Sequence, residues 1–447
     1  MKSAIISIIL CLAASTAIAG ELAFPVQKQV LDNGMTVFLI PDNSCPSITV
    51  QVWYKTGSRN ERPGITGISH LFEHLMFKGT IKFPGGAFDR LIEANGGWDN
   101  AWTWLDNTAF FEVMPSQKIE LVLKLEADRC RNLILDEENV NSERNVVINE
   151  RLWGVDNSPE GSLYEVFINN AFVAHPYRWE VIGFLSDLKA ITLEDCLEYY
   201  RIHYAPNNCF LIISGDFESS NIMNLVKKYF GPLKAEQPPP PVNAVEPEQM
   251  GEKRIDFNRA AQLPAMMAGY KIPAAADPDV IPLEVVAKIL FDGESSRLYK
   301  KLVYDEQKAI AVEGEAETHH DPYLFYVYAQ ATPGSDIEYV KKAIFEEIEK
   351  MAVEPILPRE LQKAKNQMES DFIMGLQSNT NRANNIGGFE ISTDDYNNIY
   401  SYPDKVQKVT SDDVMRVAGK YFLKEHRTVV TLIPKENEQP LKSATDK

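Results

Sequence analysis

Ile191-Thr192-Leu193-Glu194-Asp195 returns 218 residues later as Val409-Thr410-Ser411-Asp412-Asp413. In both, a threonine stands three residues before an aspartate, the arrangement in which two side chains cap a helix start reciprocally. A helical pattern follows each. Tyr204 and then the β-rich run Cys209–Ile213 come after the first, and Phe422 and Arg427–Thr431 hold the same places after the second. One offset therefore aligns a cap, a helix and a strand. This internal repeat predicts two similar α+β domains in one chain.

A boundary between them is visible. Residues 232–250 carry five prolines within Pro232–Pro241, several acids and almost no apolar periodicity, which reads as a semi-rigid linker. The expected layout is a first domain over 20–231, this linker, and a second domain over 251–447. Residues 1–19 are set apart. Lys2 precedes an apolar run from Ala4 to Ala14, and Ala17-Ile18-Ala19 forms a small-x-small cleavage site before Gly20. The run is short for a membrane span, so a signal peptide is expected, with a mature protein that is periplasmic or secreted. The net charge of −18 argues against nucleic acid as a partner. No later stretch is apolar enough to span a bilayer. Four cysteines remain after residue 19, too few for a disulfide framework in a chain of 447 residues.

The chemistry gathers in the first domain, at Ser69-His70-Leu71-Phe72-Glu73-His74-Leu75-Met76-Phe77. The run has no Gly or Pro and reads as a buried helix. Residues three and four apart share a helix face, so His70, Glu73 and His74 point the same way. Two imidazoles one turn apart can hold zinc, and a hydrolytic zinc takes three protein ligands. The third is expected on Asn141–Glu150, where Glu143 and Glu150 stand two turns apart on one face. Glu150 would complete the set, with Glu143 behind it orienting a ligand. Glu73 is then the expected general base. The second domain lacks these residues: its matching helix, Leu283–Phe291, has no histidine, and His319-His320 are neighbours that cannot share a face.

His70-x-x-Glu73-His74 followed by Glu143-Arg144-Asn145-Val146-Val147-Ile148-Asn149-Glu150 resembles the inverted zinc-motif peptidases of the pitrilysin family. The nearest branch is similar to mitochondrial processing peptidase and its bacterial relatives. Supporting segments include Leu31-Asp32-Asn33-Gly34, Gly96-Gly97, His175-Pro176-Tyr177 and Ser295-Ser296-Arg297-Leu298. The resemblance implies an α+β fold of two homologous domains, each a mostly antiparallel sheet with helices packed on it. It implies one zinc per chain, held by His70, His74 and Glu150. It also implies that Asn100-Ala101-Trp102-Thr103 is an edge strand to which an extended peptide substrate adds.

One departure bears on partners. Active members of the family carry an Arg and a Tyr, seven residues apart, that bind substrate near the zinc. Val303 and Ile310 stand at those positions here, with Arg297, Tyr299 and Tyr304 out of register. The chain is therefore expected to be a zinc endopeptidase subunit whose homologous partner supplies the Arg/Tyr pair. A non-catalytic structural or peptide-binding subunit is the alternative, and a homodimeric peptidase with a degenerate second half is a third option.

Overall fold

The structure, a computed structural model, describes residues 24–435. The expected signal peptide lies outside the described residues. The first half runs β1 (Gln27–Val30), β2 (Thr36–Pro41), β3 (Ser47–Tyr54), α1 (Ile68–Leu75), α2 (Ala87–Ala94), β4 (Trp98–Thr103), β5 (Thr108–Pro115), α3 (Ile119–Asn132), α4 (Glu137–Arg151), α5 (Pro159–Ala171), α6 (Leu185–Ala190), α7 (Leu193–His203), β6 (Cys209–Gly215) and α8 (Ser219–Tyr229). The second runs β7 (Lys253–Ala260), β8 (Ala265–Ile272), α9 (Val280–Phe291), β9 (Ala309–Ala316), β10 (Tyr323–Ala331), α10 (Ile337–Val353), α11 (Pro358–Met374), α12 (Asn379–Thr393), α13 (Asn398–Lys408), α14 (Ser411–Tyr421) and β11 (Arg427–Lys435). Residues 232–250 form no regular element. No helix of the described residues is long and apolar enough to cross a membrane.

The two sheets have matching topology. The first is ordered β1-β2-β6-β3-β5-β4 and the second β7-β11-β8-β10-β9. In each, one pair is parallel, β2 with β6 and β7 with β11, and every other pair is antiparallel. The 218-residue offset carries β3 onto β8 and α7 onto α14 end for end. Both capping boxes form, with the hydroxyl of Thr192 accepting from Asp195 N–H and that of Thr410 from Asp413 N–H. The turn after β1 closes at Gly34, whose φ of 86° lies in the left-handed region open to glycine.

Each sheet is covered on both faces, which is why β6 and β8 read as unbroken apolar runs. In the first sheet, Val50, Val52 and Leu211 join one core with α1 and α3, while Trp53, Phe210 and Ile212 face the other way. That second face is covered by α12, from the far end of the chain, through Ala383 and Ile386. The second sheet is covered reciprocally by α5, whose Leu163, Phe167 and Ile168 pack on Met267, Leu324 and Val430. The halves thus exchange a helix. Both contacts are close: a Cβ at Gly387 would meet the Trp53 ring at 2.4 Å, and one at Gly269 the Phe167 ring at 2.6 Å.

Candidate active site

Helix α1 is short and strongly sided. Leu71, Phe72 and Leu75 are buried, and His70, Glu73 and His74 lie on the other face. Its first turn has no cap from its own neighbours; Gly67 sits there with φ 89°. Glu61 serves instead, accepting from Gly67 N–H and Ser69 N–H at 2.8 Å each. This satisfies two free N–H groups of the helix start, while burial pushes the Glu61 carboxyl up to about 8. A side chain at Gly67 would meet Ile182 O at 2.5 Å, so α1 is also pinned by the segment before α6.

Helix α4 starts at Asp136, which caps it by accepting from Asn139 N–H. It buries Val140 and Val147, seven residues apart. The face toward α1 carries Glu143 and Glu150 with the same spacing. Glu150 Oε2 lies 3.7 Å from His70 Nε2 and 3.4 Å from His74 Nε2. The edges of a tetrahedron with zinc–ligand bonds near 2.05 Å are about 3.4 Å long. The donor atoms of His70, His74 and Glu150 all lie within 4.8 Å of one another, so two nitrogens and one oxygen fit a tetrahedral ion. Burial, reinforced by neighbouring His74, holds the His70 imidazole down at about 4, so it is neutral and able to coordinate near pH 7.

Glu143 lies one layer out. Its Oε2 is 3.5 Å from His74 Nδ1, and its Oε1 accepts from Lys78 Nζ at 2.7 Å. The buried Nδ1 of His70 has no such partner. Glu73 stands beside Thr103. Burial raises its carboxyl above the usual range, and contacts with Thr103 and the charge of His74 draw it back. His70 and Glu73 share a cavity of about 370 Å3 with Ala101, Trp102 and Thr103, together with Tyr164 and Glu180 from beyond α4.

The segment Asn100–Thr103 falls in β4, which pairs with β5 alone and leaves its other edge free. Asn100 Oδ1 accepts from Ala101 N–H at 2.8 Å. Trp102 packs edge-on against Trp53 and tilted against Phe111, as a strand side chain does. The topologically equivalent edge strand β9 borders, with Trp102 and Thr103, a larger cavity of about 1430 Å3. The Arg and Tyr substitutes are placed elsewhere. Arg297 is bound by Glu360 through Nε and Nη2, both at 2.7 Å, Tyr299 and Val303 pack on the second core, and Tyr304 and Ile310 are exposed.

Sequence reasoning missed a buried polar network between the halves. Asp106 accepts from Tyr177 Oη at 2.6 Å and from His320 N–H at 3.1 Å, and lies 3.2 Å from His319 Nδ1. Asp321 binds Arg59 at 2.6 Å and His175 at 3.0 Å. His175-Pro176-Tyr177 is thus a brace from the β4–β5 turn to the second half. Glu61 was missed too, because nothing local ties it to the helix it caps.

Two family profiles match this chain. Residues 36–183 match insulinase (peptidase family M16), and residues 190–368 match the peptidase M16 inactive domain. The zinc protease PqqE of Helicobacter pylori is 34% identical over 416 residues, covering 91% of this chain and 93% of that protein. An uncharacterized zinc protease of Mycobacterium leprae is 26% identical, covering 91% of each. Among solved structures, a protease from Helicobacter pylori superposes with a TM-score of 0.89 at 33% identity, over 92% of this chain and all of that one. The fold is also that of the periplasmic protease PqqL of Escherichia coli, at 16% identity and a TM-score of 0.76, where this chain spans 92% of its own length and 48% of the other. The chain belongs to the zinc proteases of the insulinase family, peptidase family M16.

Proposed function

We propose that this chain is a zinc-dependent endopeptidase acting on peptides or small unfolded proteins, with domains over 20–231 and 251–447 joined by the linker 232–250. The observation that carries the reading is the meeting of His70, His74 and Glu150 from two separate helices at tetrahedral spacing, with Glu73 on the same helix face. Zinc held there supplies Lewis acidity to a scissile carbonyl and to water. Glu73 takes the proton of the attacking water and passes it to the leaving amine. Its partly buried position keeps the carboxyl closer to neutral than a solvated one, which suits a group that must both accept and give a proton. The free edge of β4 receives the peptide backbone as an added strand, so recognition there depends little on side chains. Glu143 orients His74 from behind.

The expected result for Glu73→Gln is a loss of about 10²–10⁴ in kcat, with zinc content unchanged by elemental analysis. Activity equal to the parent chain would remove Glu73 from the role of base. Loss of both zinc and activity would instead place it in the metal site.

The active particle is read as a heterodimer. Val303 and Ile310 leave no Arg/Tyr pair, and Arg297 is already held by Glu360. Adding a homologous subunit that carries the pair is expected to raise peptide hydrolysis by orders of magnitude, and full activity of the single chain would contradict the pairing. Export rests on residues 1–19, and N-terminal sequencing of the mature protein is expected to begin at Gly20.

A further inference from the structure

Against the buried side of α1, away from His70, Glu73 and His74, runs a chain of hydrogen bonds that the proposed reaction does not use. Tyr199 of α7 stands at its centre. Its Oη lies 2.7 Å from Ser69 Oγ and 2.9 Å from Thr56 Oγ1, and Thr56 Oγ1 lies 3.0 Å from His203 Nδ1. The His203 ring stacks on that of Tyr199, with centroids 4.0 Å apart. All four side chains are buried. Burial holds the His203 imidazole down at about 4, so the chain ends on a neutral ring near pH 7. Thr56, just past β3, is fixed in turn by its carbonyl, which accepts from Thr108 Oγ1 at 3.0 Å. On α1, Tyr199 meets the neighbours of two site residues. Its hydroxyl reaches Ser69, which precedes His70, and its ring packs at 5.5 Å on that of Phe72, which precedes Glu73.

The second half supplies a comparison within the same chain. The 218-residue offset places Val417 at Tyr199, Ala274 at Thr56 and Tyr421 at His203. Val417 is buried in the second core, and the Tyr421 hydroxyl donates to Asp279 instead. Valine and alanine have no side-chain hydrogen-bonding group, so the half without the metal helix also lacks this polar chain. The same strands and helix pack there without it, so the fold itself does not require it. Buried hydroxyls are costly unless each finds a partner, and here the partners lead to α1.

We infer that Tyr199 is a positioning residue: through Ser69 and Phe72 it fixes the rotation of α1, so that His70 and His74 meet Glu150 while Glu73 faces β4. The inference rests on the metal-site and peptidase readings for what α1 does. Apolar packing alone lets a helix of eight residues roll, whereas a hydrogen bond has a preferred direction. Tyr199 touches neither metal nor substrate and acts only through its two contacts on the helix.

The test is Tyr199→Phe, which keeps the ring and removes the hydroxyl. Parent and variant are each loaded with cobalt(II) in place of zinc, because the visible absorption of cobalt reports the geometry of its ligands. Tyr199→Phe is expected to shift the cobalt bands, and to lower kcat of the zinc-loaded chain about tenfold with KM unchanged. In a Ser69→Ala chain the same substitution is expected to add nothing, because the two act through one bond. Unchanged bands, or an unchanged kcat, overturn the inference even where the urea midpoint falls, since a fall in stability alone marks packing. Additive effects of the two substitutions overturn it too. If Tyr199→Phe does not fold, Thr56→Val replaces it and breaks the chain one bond further out: shifted bands support the inference and unchanged bands overturn it. A parent chain that binds no cobalt overturns the metal site and this inference together. A parent chain that binds cobalt yet cuts no peptide counts against the peptidase reading alone, and the cobalt bands still decide the role of Tyr199.

Discussion

His74 is held at both ring nitrogens, with Nε2 toward Glu150 and Nδ1 toward Glu143, which Lys78 fixes in turn. His70 has Nε2 toward the same Glu150 but no polar group behind it, since its Nδ1 meets no acceptor. Losing the Glu143 carboxylate therefore removes the one polar brace behind the donor set. Glu143→Gln is expected to weaken zinc binding by about 10- to 100-fold, measured by competition with a chelator. Unchanged affinity would mean that His74 is oriented by packing alone. At this scale the site was legible where it is local. His70, Glu73 and His74 share a face because of helical periodicity, and Glu143 and Glu150 do so for the same reason. Glu61 was illegible because it acts on a helix start that only the folded chain brings near.

Among elements, α5 and α12 decide whether the two halves cohere. Each lies on a sheet built from the other half, with a glycine at the point of closest approach. Gly387→Ala forces a methyl group into the Trp53 ring and is expected to destabilise by about 1–3 kcal/mol. Phe167→Ala leaves a void under the second sheet and is expected to cost about 3–5 kcal/mol. Urea unfolding measures both, and a Phe167→Ala change within 0.5 kcal/mol (the usual range of surface substitutions) would mean that α5 is a loose cover. A helical pattern over residues 161–172 is readable from the sequence. It did not show which sheet those residues meet, because periodicity reports that a face is buried and is silent on what buries it. The 218-residue repeat was legible for the opposite reason: cap, helix and strand are consecutive, so their order survives without knowledge of packing.

Across the whole molecule, the halves meet through alternating charges as well as helices. Burial opposes a charge on His319, but hydrogen bonds to Asp106 and Glu317 outweigh it and raise the imidazole to about 9, from an ordinary 6.5. A raised folded value stabilises fully below 6.5, and the contribution is lost as pH climbs through 9. Stability is expected to fall between those values with a slope approaching about 1.4 kcal/mol per pH unit from this group. His319→Gln is expected to flatten that slope in urea midpoints taken across the range, and an identical slope in the variant would exclude His319 as its source. Adjacent histidines looked unpromising as metal ligands, and His319 is instead an interior cation that ties the β4–β5 turn to the second half. The exchanged helices also set an order of events during synthesis. The apolar face of α5 is complete when residue 171 leaves the ribosome, but Met267, Leu324 and Val430, against which it packs, do not yet exist. The first half therefore cannot bury this face until β11, the last of the described strands, has been made, so a nascent or truncated chain carries Leu163, Phe167 and Ile168 uncovered and open to aggregation.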